Sequence, residues 1–206
     1  MVESPEYSIE FEDGNFEIRN YGHYILAQVD VEGDFDDSIG KGFSILANYI
    51  FGANRKRSKI NMTAPVSEEE VSASRGGSEK IPMTAPVTQE TVFKSEKISM
   101  TVPVTGERRE ENIYRISFTM PKEYKLEILP EPDDDRIKFK EIKNQRALVL
   151  KFSGRVKKDM ARKKMDEMIK YMDKNRIKPK SNLVVAQYNN PLVPGFLRRN
   201  EIIVEI

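Results

Sequence analysis

The chain has 206 residues, and its 34 lysine and arginine residues nearly balance its 33 aspartate and glutamate residues. This length can bury one sizeable core, and the charge balance gives no global field that would draw the protein onto nucleic acid or an anionic membrane. The absence of cysteine excludes disulfides, thiolate metal sites and iron–sulfur clusters. The acidic first residues lack the apolar core of a secretory signal, and no apolar run approaches the roughly 20 residues of a membrane span. We therefore expect a cytoplasmic protein without membrane insertion.

The first third of the chain predicts three strands, a helix and a further strand. Alternating apolar residues on both sides of Asp13-Gly14 predict a β-hairpin, and residues 24–31 alternate as a third strand. Asp34 or Asp36 can cap a helix that should end near Gly52. The apolar stripe of that helix consists of Phe35, Ile39, Phe43, Leu46 and Ile50. Residues 60–66 predict the next strand.

The last third repeats this order. Residues 139–142 and 147–152 predict strands, and a methionine-rich stripe predicts a helix that ends near Asn175. Residues 183–188 and 201–206 predict the final strands. Aligning Gly33 with Gly154 also aligns Asn54 with Asn175, which indicates a degenerate internal duplication. We predict one α+β domain over residues 1–206, with pseudo-repeats at about 7–66 and 136–206 joined by a strand-rich segment, 67–135. Two similar halves would form a distorted antiparallel β-barrel or paired sheets flanked by two helices.

The middle of the chain carries three copies of the pattern KIxMTxPV. The copies are SKINMTAPV from Ser58, EKIPMTAPV from Glu79 and EKISMTVPV from Glu96. Because their apolar residues alternate, each copy predicts a half-buried strand, with its proline at an edge, a strand end or a bulge. Residues 113–120 predict one more strand.

Four segments of this sequence resemble the SOUL haem-binding family. They are FEIRNYG at 16–22, GANRKRSKINMTAPV at 52–66, SFTMPKEYKLEILPEPDDDRI at 117–137 and YNNPLVPGFLRRNEIIVEI at 188–206. The likeness covers nearly the whole chain from about Tyr7, and the tandem KIxMTxPV copies are similar to the prokaryotic branch. The resemblance implies an α+β fold and non-covalent binding of haem or free porphyrin, without catalysis.

The resemblance also implies an apolar groove between the first helix and the loop before the last strand. Its implied lining residues are Phe43, Leu46, Ala47, Ile50, Met62, Tyr188, Leu192, Val193 and Phe196. Arg55 and Lys56, just past the helix, would pair with the propionates. Arg198 and Arg199, beside Asn200 and Glu201, are expected on a solvated surface, although an ion-pair network or contact with the propionates is the alternative.

An iron ligand is less well defined. Some animal members of the family are thought to use a histidine between the arginine and the tyrosine of the RxYG pattern, where this chain has Asn20. His23 is the only histidine and the candidate axial ligand, although a solvated turn histidine is the favoured interpretation. The other candidate donors are Met62, Met83, Met100, Tyr49 and Tyr188, each of which is more often a core residue.

We therefore predict a haem or porphyrin carrier or buffer that is a monomer. An enzyme is not expected, because the chain has one histidine, no GxSxG elbow and no HExxH spacing. Two alternatives remain: a module that binds another flat hydrophobic effector, and a protein–protein interaction module that uses KIxMTxPV strands at an open sheet edge.

Overall fold

A computed structural model of the chain describes residues 5–55, 80–81, 87–92, 113–189 and 192–206. The helices are α1 (Phe35–Ile50) and α2 (Lys158–Asn175), and a short 3-10 turn covers Gly195–Leu197. The strands are β1 (Tyr7–Asp13), β2 (Phe16–Tyr21), β3 (Tyr24–Glu32), β4 (Asn54–Arg55), β5 (Val87–Val92), β6 (Ile113–Thr119), β7 (Glu131–Pro132), β8 (Lys138–Ile142), β9 (Gln145–Phe152), β10 (Val184–Gln187) and β11 (Asn200–Glu205).

Nine strands form one antiparallel sheet that is strongly curled into a half-barrel. Their order is β1-β2-β9-β11-β10-β5-β6-β3-β8, while β4 and β7 pair separately. The predicted α+β class is confirmed, and the barrel-like arrangement is the one adopted. Because β2 pairs with β9, the N-terminal hairpin lies beside strands from the last third of the chain.

The strands present two different faces. On β3, Ile25, Ala27 and Val29 are at most 2% exposed and belong to one apolar core that contains residues of both helices. We call this helix-covered side the outer face. Leu26 and Gln28 alternate with them and line a cavity on the other, concave side, the inner face. The sheet therefore separates an apolar core from a second, more polar interior.

Helix α1 matches the predicted stripe and packs closely on β6. Asp34 occupies the predicted cap position, but its backbone carbonyl, not its side chain, accepts from the Ser38 amide at 2.9 Å. A Cβ atom on Gly42 would lie 2.3 Å from Ile116 Cγ1, so only glycine allows this approach of helix to strand. The sequence thus positions α1 over β3 and β6.

Helix α2 begins four residues after Gly154 and covers the other half of the core, ending at Asn175 as predicted. Met168 and Met172 are buried. The Tyr171 ring stacks on Phe16 with 3.7 Å between centroids, which docks the helix on the hairpin.

Several predicted features lie outside the described residues. These are the strand 60–66, the first and third KIxMTxPV copies and most of the second. Of the second copy, the structure describes Ile81, whose amide donates to the carbonyl of Ile50 at 2.7 Å, and Val87, which begins β5. This copy therefore connects the end of α1 to the middle of the sheet. The division into pseudo-repeats stays a prediction.

Candidate functional site

The α1 residues implied for a ligand groove lie mostly inside the core. Leu46, Ala47 and Ile50 are 0%, 7% and 1% exposed. Phe43 is half-buried, and its ring meets Phe118 edge-on with 5.2 Å between centroids. Of these four helix residues, Phe43 offers the most side-chain surface to a ligand.

A network of contacts orders the chain just past α1. The Tyr49 hydroxyl donates to the Pro130 carbonyl at 3.0 Å, and the Asn54 side-chain amide donates to the Tyr49 carbonyl at 2.7 Å. Arg55 Nε lies 3.1 Å from a carboxylate oxygen of Asp133, and both side chains are more than half exposed. Exposed pairs of this kind contribute little to stability. The Arg55 guanidinium can therefore exchange Asp133 for another anion.

The loop between β10 and β11 carries the other implied groove residues. Leu192 and Phe196 are 91% and 78% exposed, and Val193 is half-buried, with its carbonyl accepting from Arg198 Nε at 2.7 Å. The Gly195 carbonyl accepts from the Gly154 amide at 3.0 Å, which ties the loop to the start of α2. The loop thus presents large apolar side chains to the surface from an anchored backbone.

Strand register shows how this loop stands relative to α1. Gln187, which precedes the loop, pairs with Val87 of β5, and Val87 pairs with Phe118 of β6. Since Phe118 contacts Phe43, the beginning of the loop lies two strands away from the middle of α1. The loop itself contacts the start of α2, through Gly195 against Gly154 and Arg155.

Tyr188, in contrast, points to the inner face. Its hydroxyl donates to Glu201 Oε2 at 2.5 Å, and the Arg199 guanidinium lies 4.2 Å from its ring centroid. Burial and the neighbouring Glu201 carboxylate raise the pKa of Tyr188 far above its ordinary range. The structure therefore separates Tyr188 from Phe43 and Phe196.

Arg19 is the centre of a buried ion-pair network on this inner face. Its two terminal nitrogens lie 3.0 and 2.9 Å from the two carboxylate oxygens of Glu201, and its Nε lies 2.6 Å from Glu17. The Arg19 and Glu201 side chains are fully buried. Burial alone would lower the pKa of Arg19, but the hydrogen bonds and charge of Glu201 outweigh it and raise the pKa. Lys151 bonds the far oxygen of Glu17, so both buried carboxylates are paired.

Arg199 joins the same network through Glu201 Oε1, which lies 2.7 Å from its Nη2. Arg199 is thus both partly exposed, as expected, and part of an ion-pair network, since its partner Glu201 is fully buried between two arginines. Sequence reasoning missed this network because Arg19 and Glu201 are 182 positions apart. In each of the two strands apolar residues alternate, and a charged residue stands at a position that faces inward. These two charged residues were the signal in the sequence that could have predicted the network.

His23 lies at the turn between β2 and β3, and its Nε2 is 2.7 Å from Glu141 Oε1 of β8. The ring is about half exposed. Lys143 and then His23 lower the pKa of Glu141. The described contact of His23 is thus a surface carboxylate, and the structure does not bring the ring to Phe43 or Phe196.

Residues from eight strands and the 181–188 region line one inner-face cavity of about 120 Å³. Tyr21, Tyr24 and Tyr188 supply aromatic walls. Because small-molecule sites usually measure about 300–1,000 Å³, this cavity is too small for a porphyrin. Within the ranges that the structure describes, no group of three or more acidic or histidine side chains could hold a metal ion, and neither helix is long and apolar enough to cross a bilayer.

A curled nine-strand sheet with two helices defines an α+β half-barrel protein. The family model described as SOUL heme-binding protein matches residues 2–205. The chain belongs to the SOUL heme-binding protein family.

Two curated relatives match parts of the chain. Heme-binding protein 2 of Homo sapiens is 47% identical over 55 residues, which are 26% of this chain and 27% of that protein. Heme-binding protein 2 of Mus musculus is 40% identical over 77 residues, 37% of each protein. The matched segments span about a quarter to a third of these relatives.

Solved structures share the fold over almost the full length. The EcmrR C-terminal domain superposes with a TM-score of 0.59 at 12% identity, over 97% of this chain and 96% of that one. A structure titled as a hydrolase from Listeria innocua superposes with a TM-score of 0.52 at 11% identity, over 95% and 93%. At these identities the likeness shows the fold alone.

Proposed function

We propose that this protein binds haem or free porphyrin non-covalently, as a monomeric carrier or buffer in the cytoplasm. The ligand would lie in an outer-face groove between the C-terminal half of α1 and residues 192–196. One observation carries the proposal: in a chain of the SOUL family, the loop before β11 holds Leu192 and Phe196 at 91% and 78% exposure. Side chains of this size are normally buried, so such exposure marks a ligand or partner surface.

The chemistry of this groove fits a tetrapyrrole. A porphyrin has two apolar faces, which Phe43, Val193 and Phe196 would contact, and one acidic edge, which Arg55 would pair. Leu46 and Ile50 would support Phe43 from beneath, in the core. Lys56 and Met62, also implied by the family resemblance, follow Arg55 closely in sequence and lie outside the described residues.

Iron ligation is not required for this mode of binding. His23 contacts Glu141 and does not lie with the groove residues, so the apolar contact and the propionate pairing would supply most of the affinity. We therefore expect metal-free protoporphyrin to bind about as tightly as haem.

The test is a titration of the protein with haemin and with protoporphyrin IX, followed by absorbance. We expect saturable one-to-one binding of both, and a loss of about tenfold or more with Phe196→Ser, since burying an aromatic ring contributes roughly 1.5–3 kcal/mol. Phe11→Ser is the matched control, because Phe11 is also exposed but lies on β1, away from the groove. Non-saturating binding, or an equal response to unrelated planar cations, would exclude haem as the specific ligand.

Two further variants test for an iron ligand. His23→Ala and Met62→Ala should leave the affinity for protoporphyrin unchanged, and the shifted haem band should survive His23→Ala. A variant that abolishes the band shift while retaining protoporphyrin binding would identify the axial residue.

A carrier must also release its ligand unchanged. We expect loaded protein to transfer haem to excess apomyoglobin completely, with the porphyrin recovered intact by chromatography. Retention of the haem, or a modified porphyrin, would instead indicate a storage protein or an enzyme.

A further inference from the structure

Three large apolar side chains protrude from the loop between β10 and β11. Leu192, Phe196 and Leu197 are 91%, 78% and 62% exposed, and they lie within six residues of each other in sequence. Single exposed apolar residues are common, but a contiguous group indicates an interaction surface. We call these three residues the apolar tip.

A strongly basic segment lies next to this tip. Residues 154–164 contain six lysines and arginines and one acidic residue, Asp159, in a chain whose formal net charge is +1. Lys164 pairs with Glu167 at 2.7 Å. The other five basic residues are exposed and, in the part of the chain that the structure describes, form no ion pair: Arg155, Lys157, Lys158, Arg162 and Lys163. Arg162 and Lys163 share a surface groove with Asp159, Asp166 and Glu167. The local excess of positive charge is therefore at Arg155, Lys157 and Lys158.

The loop that carries the tip contacts the basic segment through Gly195. The Gly154 amide donates to the Gly195 carbonyl at 3.0 Å, and a Cβ atom on Gly195 would lie 3.3 Å from Arg155 Cγ. Phe196 follows Gly195 directly, and Lys157 lies two residues beyond Arg155. The apolar tip and the basic residues at the start of α2 therefore lie next to each other, and we call them together the patch.

The position of these lysines is unfavourable for the helix itself. Lys157 and Lys158 stand at the start of α2, where the helix dipole is positive, no side-chain cap forms and Asp159 is the single acidic residue of the first turn. Helix α1 has the favourable arrangement, with Asp36 and Asp37 in its first turn. Charges that destabilise their own helix are expected where they bind a partner molecule.

We propose that this patch docks the protein peripherally on an anionic lipid bilayer, with the apolar tip inserted between the headgroups and the basic segment on the phosphates and anionic headgroups. An exposed aromatic and two leucines beside unpaired lysines match a surface that is apolar within and negatively charged outside. Nucleic acid would use the lysines but has no complement for the tip. The inference goes beyond the proposed haem binding and does not depend on it.

The test is flotation of the apo-protein with vesicles of phosphatidylcholine alone and with 30% phosphatidylserine (about the fraction that gives a strong surface charge). We expect binding to the anionic vesicles only, and weakening as salt rises, because the Debye length falls to about 10 Å at 0.1 M. Failure to bind anionic vesicles at low salt would overturn the proposal.

Paired charge reversals locate the contact. Lys157→Glu with Lys158→Glu should weaken binding about 30-fold or more, since each lysine near an anionic surface contributes on the order of a fivefold gain. Lys170→Glu with Lys174→Glu makes the same charge change farther along α2 and should have a much smaller effect. Equal losses in the two double variants would contradict a localised patch.

Leu197→Ser tests the tip without altering the residues implied for the haem groove. We expect several-fold weaker vesicle binding and unchanged haem affinity. If Leu197→Ser binds vesicles like the parent, and duplex DNA competes as well as the vesicles, the patch attracts polyanions generally and the proposal is wrong. Haem titration of the same variants separates this result from a failure of the proposed function.

Discussion

The outer and inner faces of the curled sheet bury side chains of opposite character, although the same strands build both. On the outer face, Ile116 and Leu150 pack against the helices with no charged group among them. On the inner face of the neighbouring strands, Arg19 and Glu201 are equally inaccessible but depend on each other. Removing atoms from an apolar core lowers the free energy of unfolding in proportion to the volume of the cavity left behind. Removing either partner of a buried ion pair leaves the other charge buried without compensation, which is strongly destabilising. The two faces should therefore respond differently to substitution and to pH.

The largest effect is expected from Arg19→Ala. It leaves Glu201 and Glu17 buried without their shared partner, so the free energy of unfolding should fall by about 3–5 kcal/mol in urea denaturation. Arg115→Ala, which breaks an exposed pair with Asp30, should cost about 1 kcal/mol or less. Similar losses in the two variants would mean that the inner-face network is no more important than a surface pair.

The inner face should also make the protein sensitive to alkali. Burial raises the pKa of Tyr21 to about 12, and burial likewise raises the pKa of Tyr24. A raised folded pKa gives stability that is complete below the unfolded value near 10 and is lost as pH rises through 12. Tyr21 alone should account for about 2–3 kcal/mol of this loss.

Urea denaturation between pH 9 and pH 12 measures this dependence. Tyr21→Phe should show a shallower decline than the parent, because one buried phenol no longer ionises on unfolding. Tyrosine absorbance that titrates entirely near pH 10 in the folded protein would contradict the burial of these phenols.

The outer face can be tested at two glycines of α1. Gly42→Ala places a methyl group against Ile116 and should cost about 1–3 kcal/mol through overpacking. Gly40→Ala, which meets no atom within 4 Å, should raise the free energy of unfolding by up to about 1 kcal/mol through helix propensity. Thermal denaturation of the pair compares them directly, and equal stability would show that α1 is not held tightly on β6.

The smallest change in the free energy of unfolding is expected from Tyr188→Phe. This variant also tests whether the inner face takes part in haem binding. Glu201 retains both arginines, so the loss should be about 1 kcal/mol, and haem affinity should not change because Tyr188 points to the inner face. A tenfold loss of affinity would instead place Tyr188 in the ligand site, as the family resemblance implies.

Local sequence patterns predicted most of the secondary structure. The three- and four-residue spacing of apolar side chains identified α1 at Phe35–Ile50 and the end of α2 at Asn175, and alternation identified the hairpin and the later strands. Helices and strands depend on neighbours within a few residues, so their signals are present in short windows. The site was less predictable: the exposed loop follows from the family motif, but the burial of Leu46 and Ile50 comes from strands elsewhere in the chain.

By itself, the sequence determined the element types, the α+β class and membership of the SOUL family, since these depend on periodicity and on contiguous motifs. Only the tertiary structure decided that Arg19 meets Glu201, that Tyr188 turns to the inner face and that the apolar tip adjoins the basic segment. The physical reason is that strand pairing brings together distant residues such as Arg19 and Glu201, which are 182 positions apart. The burial and charge of each such contact depend on partners that no local pattern specifies.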